Sequence, residues 1–124
     1  MATMELTSEN FKSVVEGDRL VLVDFWASWC GPCRTFGPVF ERASERHADA
    51  VFGKVDTEAQ NDLAAGFGIS SIPTLMIIRD KVVLYAQPGA LPEQALEQLI
   101  TQARELDMDE VRASLAASAE RAEA

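Results

Sequence analysis

Two adjoining stretches decide the fold: Leu20-Val21-Leu22-Val23-Asp24-Phe25-Trp26, and shortly after it Trp29-Cys30-Gly31-Pro32-Cys33-Arg34. The first is a near-continuous apolar run, which is typical of a central strand covered on both faces. A helical pattern follows the second, so Cys30 is expected at the start of a helix. There the unpaired backbone N–H groups and the helix dipole favour a thiolate. Cys33 can face Cys30 across the first turn, and such a pair can exchange electrons with another protein's disulfide. A carboxylate within such a strand is expensive to bury without a partner, which makes Asp24 the anomaly of the run.

The rest of the chain alternates between strand-like and helix-like segments. In its first half the pattern predicts a strand at Met4–Leu6, a helix from Phe11 to Gly17, a helix after Cys33 that contains Pro38, and a strand at Val51–Val55. A helix at Asn61–Phe67 is followed by a hairpin of Thr74–Arg79 and Val82–Gln87 that turns at Asp80-Lys81. The last core helix has Pro92 in its first turn and apolar positions to Leu106. This alternation predicts an α/β fold with a central mixed sheet flanked by helices.

Beyond Leu106 the composition shifts to Ala, Glu, Ser and Arg. Asp107 or Asp109 can cap a further helix, whose apolar stripe of Met108, Val111, Leu115 and Ala119 is thin. We therefore expect a domain at residues 1–106 and a helical extension at residues 107–124.

Net charge and the cysteine pair limit the classes of partner and of chemistry that fit this chain. The formal net charge is −9 and no cluster of Lys and Arg exists, which argues against nucleic acid as a partner. No apolar run approaches the ~18 residues of a membrane span, and the N-terminus shows no secretory signal. We therefore expect a cytoplasmic protein without membrane contact, whose thiols are kept reduced. In that compartment the cysteine pair is catalytic, metal-binding or incidental rather than a structural staple.

A zinc site is the competing chemistry for a Cys-x-x-Cys pair. Zinc needs four ligands, and His47 is the one remaining soft partner in the chain. We therefore expect no metal, and interpret His47 as a structural residue on the apolar face of its helix. A second alternative is a rigid scaffold within a larger complex, whose role ignores the cysteines.

The chain resembles the bacterial thioredoxins from about Met4 to Leu106. The stretch Phe25–Cys33 reproduces the active-site signature of that family. Further landmarks agree in order and spacing: Asp24, Pro38, Lys54, Gly68-Ile69, Ile72-Pro73-Thr74 and Gly89-Ala90. A lone Cys-x-x-Cys is a weak signal because zinc sites share it. The signature together with all of these landmarks is specific for the thioredoxin family.

The resemblance implies the thioredoxin fold and thiol–disulfide exchange. By this resemblance, Cys30 is expected to attack the disulfide of a client protein, and Cys33 to resolve the resulting mixed disulfide. Asp24 is expected to assist proton transfer at Cys33, which agrees with the raised pKa expected of a buried carboxyl. Lys54 can pair with Asp24.

The resemblance also implies a substrate-binding face and a set of partners. The face comprises Trp29, Gly31, Pro32, Ile72, Pro73 in a cis peptide bond, and Gly89, while Pro38 gives a structural kink. No bound cofactor is implied: the redox group is the Cys30–Cys33 disulfide, recharged by thioredoxin reductase, in a chain that acts as a monomer on disulfide-containing clients. An oxidant or isomerase is the runner-up within redox chemistry, and the Gly31-Pro32 pair between the cysteines weighs against it.

Overall fold

The computed structural model describes residues 2–123 and has the predicted alternation of strands and helices. The strands are β1 (Thr3–Glu5), β2 (Val21–Trp26), β3 (Val51–Asp56), β4 (Thr74–Arg79) and β5 (Val82–Pro88); the helices are α1 (Phe11–Val15), α2 (Gly31–Arg46), α3 (Asn61–Gly66), α4 (Glu93–Glu105) and α5 (Met108–Glu123). Within residues 2–123, no helix is both long enough and apolar enough to cross a bilayer.

The five strands form one mixed sheet in the order β1-β3-β2-β4-β5. β3 runs parallel to both β1 and β2, whereas β4 is antiparallel to β2 and to β5. The apolar run at Val21–Trp26 is therefore the central strand, as predicted. All its residues except Trp26 are buried, because helices cover both faces of the sheet.

Side chains of β2 alternate between two apolar layers, because successive residues of a strand point to opposite faces. Leu20 and Leu22 lie in the layer that contains the buried residues of α2 and α4. Val21, Val23 and Phe25 lie in the other layer, with Phe11 and Ala64 from α1 and α3. The alternation places Asp24 and Trp26 on the α2 face.

One glycine is required by close packing between strands. A side chain at Gly53, on β3, would collide with the side chain of Leu6, which is fully buried. The absence of a Cβ at this position lets the chain after β1 lie against the sheet.

The β4–β5 hairpin turns at the predicted pair. Asp80 and Lys81 both have positive φ, at 52° and 67°, which is the conformation of a two-residue type I′ turn. Aspartate tolerates this region better than most residues, and the turn forms here without glycine.

The C-terminal helices differ from the predictions in two respects. Pro92 is the N-cap of α4 rather than a residue of its first turn. Leu106 is 42% exposed and ends α4 instead of joining the core. The guanidinium of Arg79 donates to the carbonyl oxygens of Ala103 and Leu106. These bonds satisfy carbonyls that the end of α4 leaves unpaired.

Helix α5 is anchored to the rest of the chain through its first turns. Asp107 is the N-cap, with its Oδ1 accepting from the backbone N–H groups of Asp109 and Glu110. Met108 is buried, whereas Leu115 is 51% exposed. The apolar stripe predicted for this helix therefore covers the domain mainly at Met108.

Candidate active site

The cysteine pair lies where β2 gives way to α2. Cys30 is the N-cap of α2, and its Sγ accepts a hydrogen bond of 3.2 Å from the backbone N–H of Cys33. Pro32 occupies the first helical turn, where its missing N–H removes no helical bond. The two cysteines are joined in a disulfide, with their Cα atoms 5.2 Å apart. The predicted position at the start of the helix is confirmed.

Hydrogen bonding, rather than exposure, distinguishes the surroundings of the two sulfurs. Cys30 is 4% exposed and Cys33 5%. Only the Cys30 Sγ accepts a backbone N–H bond of the helix start, among the residues that the structure describes. That bond and the helix dipole stabilise the negative charge of a Cys30 thiolate once the disulfide is open.

Asp24 is fully buried in the middle of β2. Neither of its carboxyl oxygens has a hydrogen-bond partner in the part of the chain that the structure describes. Burial raises the pKa of Asp24 to about 7, because the ionised form loses its hydration, and the charge of Lys54 opposes this rise. The carboxyl can therefore both take and release a proton near neutral pH, as the sequence predicts.

Lys54 lies opposite Asp24 in the parallel register of β2 and β3. The two side chains do not form a hydrogen-bonded pair, since both Asp24 oxygens remain unpartnered. The ammonium of Lys54 lies instead over the ring of Trp26, with Nζ 4.8 Å from the ring centroid. The direct pairing implied by the resemblance is therefore replaced by a longer-range Coulomb interaction.

The loop before β4 closes the other side of the site. The Ile72–Pro73 peptide bond is cis, as the resemblance implies. The carbonyl oxygen of Ile72 lies 3.7 Å from the Cys30 Sγ, and the backbone N–H of Gly89 donates to the Pro73 carbonyl at 2.8 Å. Gly89 has φ of +116°, a conformation that L side chains rarely adopt.

A groove of about 160 Å³ adjoins this loop; it is lined by Phe67, Gly68, Ile69, Ser70, Ser71, Thr74, Ala86 and Pro88. Ser71 and Thr74, which line the groove, flank the Ile72–Pro73 segment, whose Ile72 carbonyl approaches Cys30. A polypeptide that reaches Cys30 can thus also contact that loop.

Two polar contacts of the site were not predicted from the sequence. Trp29 is 65% exposed, and its Nε1 donates to the carboxylate of Glu58 at 2.5 Å. Arg34 donates from its guanidinium to the Ser28 carbonyl at 2.9 Å, which ties the helix to the loop before Cys30. Glu58 carries no sequence signal for this role, because it lies 29 residues from Trp29 along the chain.

Two other predicted residues lie apart from the sulfurs. Pro38 is an exposed residue inside α2. His47 follows the last residue of α2, about 26 Å along the helix from Cys30 at ~1.5 Å per residue. Its Nε2 is 2.6 Å from a Glu97 oxygen, which agrees with the structural role predicted for it. No group of three His, Cys, Asp or Glu side chains suited to a metal ion occurs within residues 2–123.

Comparisons with known proteins agree with this geometry. The thioredoxin family model matches residues 2–102. A Streptomyces coelicolor protein named as a thioredoxin 2 is 64% identical over 115 residues, covering 93% of this chain and 86% of the relative. That alignment is longer than the first 106 residues, so it includes part of the tail.

Two further relatives match the domain. The thioredoxin of Alicyclobacillus acidocaldarius is 44% identical over 77% of this chain and 92% of its own length. The crystal structure of Malassezia sympodialis thioredoxin superposes with a TM-score of 0.73 at 38% identity, covering 81% of this chain and 89% of that one. The chain belongs to the thioredoxin family, and it is a protein-disulfide reductase whose redox-active group is the Cys30–Cys33 pair.

Proposed function

We propose that Cys30 is the attacking thiolate, Cys33 the resolving thiol and Asp24 the group that takes the proton of Cys33. The observation that carries this assignment is the position of the Cys30 Sγ at the N-cap of α2, where it accepts the Cys33 N–H. A negative charge is stabilised there and not one turn further into the helix.

The first step forms a mixed disulfide between this protein and the client. The Cys30 thiolate attacks one sulfur of the client disulfide, so a Cys30–client bond forms and the client S–S bond breaks. The second client sulfur leaves as a thiolate and takes a proton from solvent. The Cys33 thiol does not react in this step; it lies in the same buried cluster as Cys30 and Ala27.

The second step releases the client. Asp24, ionised, takes the proton of the Cys33 thiol, and the Cys33 thiolate attacks the Cys30 Sγ. The Cys30–Cys33 disulfide forms as the Cys30–client bond breaks, and the client sulfur leaves as a thiolate that takes a proton from solvent, so both client sulfurs are then reduced. Two electrons have moved from the dithiol to the client, and the raised pKa of Asp24 matches the proton transfer to neutral conditions.

We assign client binding to the face around the sulfurs. Its exposed members are Trp29, Gly31, Pro32 and Gly89; Ile72 is half-buried and Pro73 is buried beside it. The approach of Ile72 to the Cys30 Sγ supports this assignment, since a client sulfur bonded to Cys30 must lie beside that backbone. Lys54 supports the chemistry through its charge near Asp24.

The remaining partners follow from the chemistry. A dithiol carrier must be re-reduced after each turnover, and we propose thioredoxin reductase as the electron donor. A reducing compartment keeps such a pair in its working form, so we place the protein in the cytoplasm. The carrier acts as a monomer, because one chain holds both cysteines and the client-binding face.

Trapping of mixed disulfides tests the order of attack. The Cys33→Ser protein should accumulate clients bound through Cys30, because its mixed disulfide has no resolving thiol. The Cys30→Ser protein should trap almost none. Mass spectrometry of the trapped species measures both, and adducts found mainly on Cys33 would refute the assignment.

The role of Asp24 is tested by the rate of the second step. Asp24→Asn keeps the shape of the side chain and removes its ability to accept a proton. At neutral pH we expect the release of client from a preformed Cys30 mixed disulfide to slow by 10²-fold or more, the usual contribution of a general base. Stopped-flow measurement of client release decides the point, and equal rates for the two proteins would exclude proton transfer by Asp24.

A further inference from the structure

Trp26 is a residue of the site that the mechanism above does not use. It is the last residue of β2, and it packs against the cluster of Ala27, Cys30 and Cys33. Its ring also lies under the ammonium of Lys54, 4.8 Å from Nζ to centroid. Because Asp24 and Trp26 are two residues apart on one strand, the carboxyl and the ring share a face of the sheet.

The backbone of α2 also lies close to the Lys54 ammonium. Helix α2 crosses this face at Gly37, and a Cβ on that glycine would lie 4.0 Å from the Lys54 Nζ. The ammonium thus lies close both to an aromatic ring and to a helix backbone that carries no side chain at this point.

The remaining side of Lys54 is open. A cavity of about 330 Å³ is lined by Thr3, Met4, Glu5, Trp26, Lys54 and Asp56. Water fits there, and the carboxylates of Glu5 and Asp56 would attract an ammonium outward. A lysine has a flexible, strongly hydrated head group, so without a local attraction it would move into this cavity.

Asp24 does not supply that attraction as a hydrogen-bonded partner, since its oxygens accept no hydrogen bond from any residue that the structure describes. The face of a tryptophan does supply it, because the ring quadrupole attracts a cation placed above it. We propose that Trp26 is a positioning residue, which holds the Lys54 ammonium beside Gly37 and near Asp24 and thereby controls how readily Asp24 takes the proton of Cys33. The last clause rests on the proposed role of Asp24.

Several charged groups lie near this face, and a test must separate the effect of Lys54 on Asp24 from theirs. Lys54 comes from β3, Glu5 from β1 and Asp56 from the end of β3, while Glu41 of α2 accepts a hydrogen bond from the Thr3 hydroxyl. Lys54 lowers the pKa of Asp24 against the effect of burial. Lys54→Met should therefore raise the titration midpoint of Asp24, and the size of that rise reports how near the ammonium is held.

The experiment measures this rise in three backgrounds: Trp26, Trp26→Phe and Trp26→Leu. The carboxyl carbon of Asp24 is followed by NMR in the oxidised protein, where the cysteines do not titrate. We expect a clear rise with tryptophan, most of it with phenylalanine, and less than roughly half of it with leucine, which has no ring face. A rise that is equal in the three backgrounds, or largest with leucine, overturns the proposal. Water admitted by the smaller side chain also screens the charge of Lys54, so the leucine result is read together with the fluorinated series, in which the ring stays in place.

A second series keeps the packing intact in case the leucine protein does not fold. Fluorinated tryptophans weaken the ring quadrupole with little change in shape. They are incorporated into protein carrying Trp29→Phe, so that Trp26 is the one site labelled. The effect of Lys54→Met on the Asp24 midpoint should fall stepwise with fluorine number, and an effect independent of fluorination overturns the proposal.

The pH profile of client release separates this inference from the proposed function. If the profile follows the Asp24 midpoint across the variants, Trp26 acts on the reaction through Lys54 and Asp24. If the midpoint moves as expected and the profile does not, the proton-transfer role of Asp24 fails, and with it the clause that rests on that role. The placement of the ammonium by Trp26 is then still supported by the NMR result.

Discussion

At the scale of single residues, the site contains two buried groups that can carry a negative charge, and their surroundings treat that charge in opposite ways. The Cys30 sulfur is almost covered, yet it lies at a helix start that stabilises an anion. Asp24 is fully covered and, within residues 2–123, no donor forms a hydrogen bond to it, so its neutral form persists to about pH 7. The first arrangement supports the proposed attack by Cys30, and the second supports the proposed proton transfer by Asp24.

Asp24 should make the stability of the oxidised protein depend on pH. Its folded pKa is about 7 against an ordinary value of 3.8, so between these values the folded state binds more protons than the unfolded state. The free energy of unfolding therefore falls as pH rises from 4 to 7, by on the order of 4 kcal/mol.

Asp24→Asn removes this dependence. We expect the asparagine protein to be the more stable one at pH 8, with the difference vanishing towards pH 4. Urea denaturation of both oxidised proteins across this range measures it. A difference that grows as the pH is lowered would show that the carboxyl is ionised and stabilised in the folded state.

At the scale of elements, α5 is the helix with the least packing. Its first turn is held by the Asp107 cap and the burial of Met108, and its second turn by an ion pair of Arg112 with Asp80. Most later side chains are exposed. The separation of residues 107–124 from the domain stays a prediction.

Truncation tests that separation. A chain ending at Leu106 keeps the carbonyls that Arg79 binds and loses Met108. We expect it to fold and to reduce a model disulfide at nearly the full rate, with a loss of stability of roughly 2–4 kcal/mol from the lost methionine contacts.

Two point variants are the matched controls for the truncation. Met108→Ala should reproduce most of the loss of stability, and Leu115→Ala, at a 51% exposed position, should have almost no effect. Thermal unfolding compares all of them. A truncated chain that does not fold would show that the tail belongs to the core.

At the scale of the whole molecule, the redox centre is separate from the two apolar layers that hold the sheet. Neither layer contains a cysteine; the sulfurs form a small cluster of their own with Ala27. The fold should therefore survive the loss of both thiols.

The double variant Cys30→Ser, Cys33→Ser tests this separation and the scaffold alternative together. We expect an unchanged far-UV circular dichroism spectrum, with stability lower than that of the oxidised protein by about 2 kcal/mol because a four-residue ring is no longer closed. Reduction of clients should be lost completely. A double variant that still restored growth to cells deleted for this protein would favour a scaffold role over a redox role.

The sequence by itself determined the fold and the place of the chemistry. An apolar run followed by Trp29–Arg34 is a local signal: the strand must be covered on both faces, and the cysteine after it must cap the helix. Spacing along the chain is enough for this, because a helix start and a strand period depend on neighbouring residues. The hairpin turn at Asp80-Lys81 was predicted for the same reason.

Only the tertiary structure decided which side chains meet across the sheet. Lys54 lies over Trp26 rather than bonded to Asp24, Glu58 binds Trp29, and Leu106 ends up exposed. Each of these depends on strand register and on helices packed from distant parts of the chain. The position of the Lys54 ammonium depends on its attraction to the Trp26 ring and to Asp24 and on how much of its hydration it keeps. These energies are set by side chains that come together only in the folded protein.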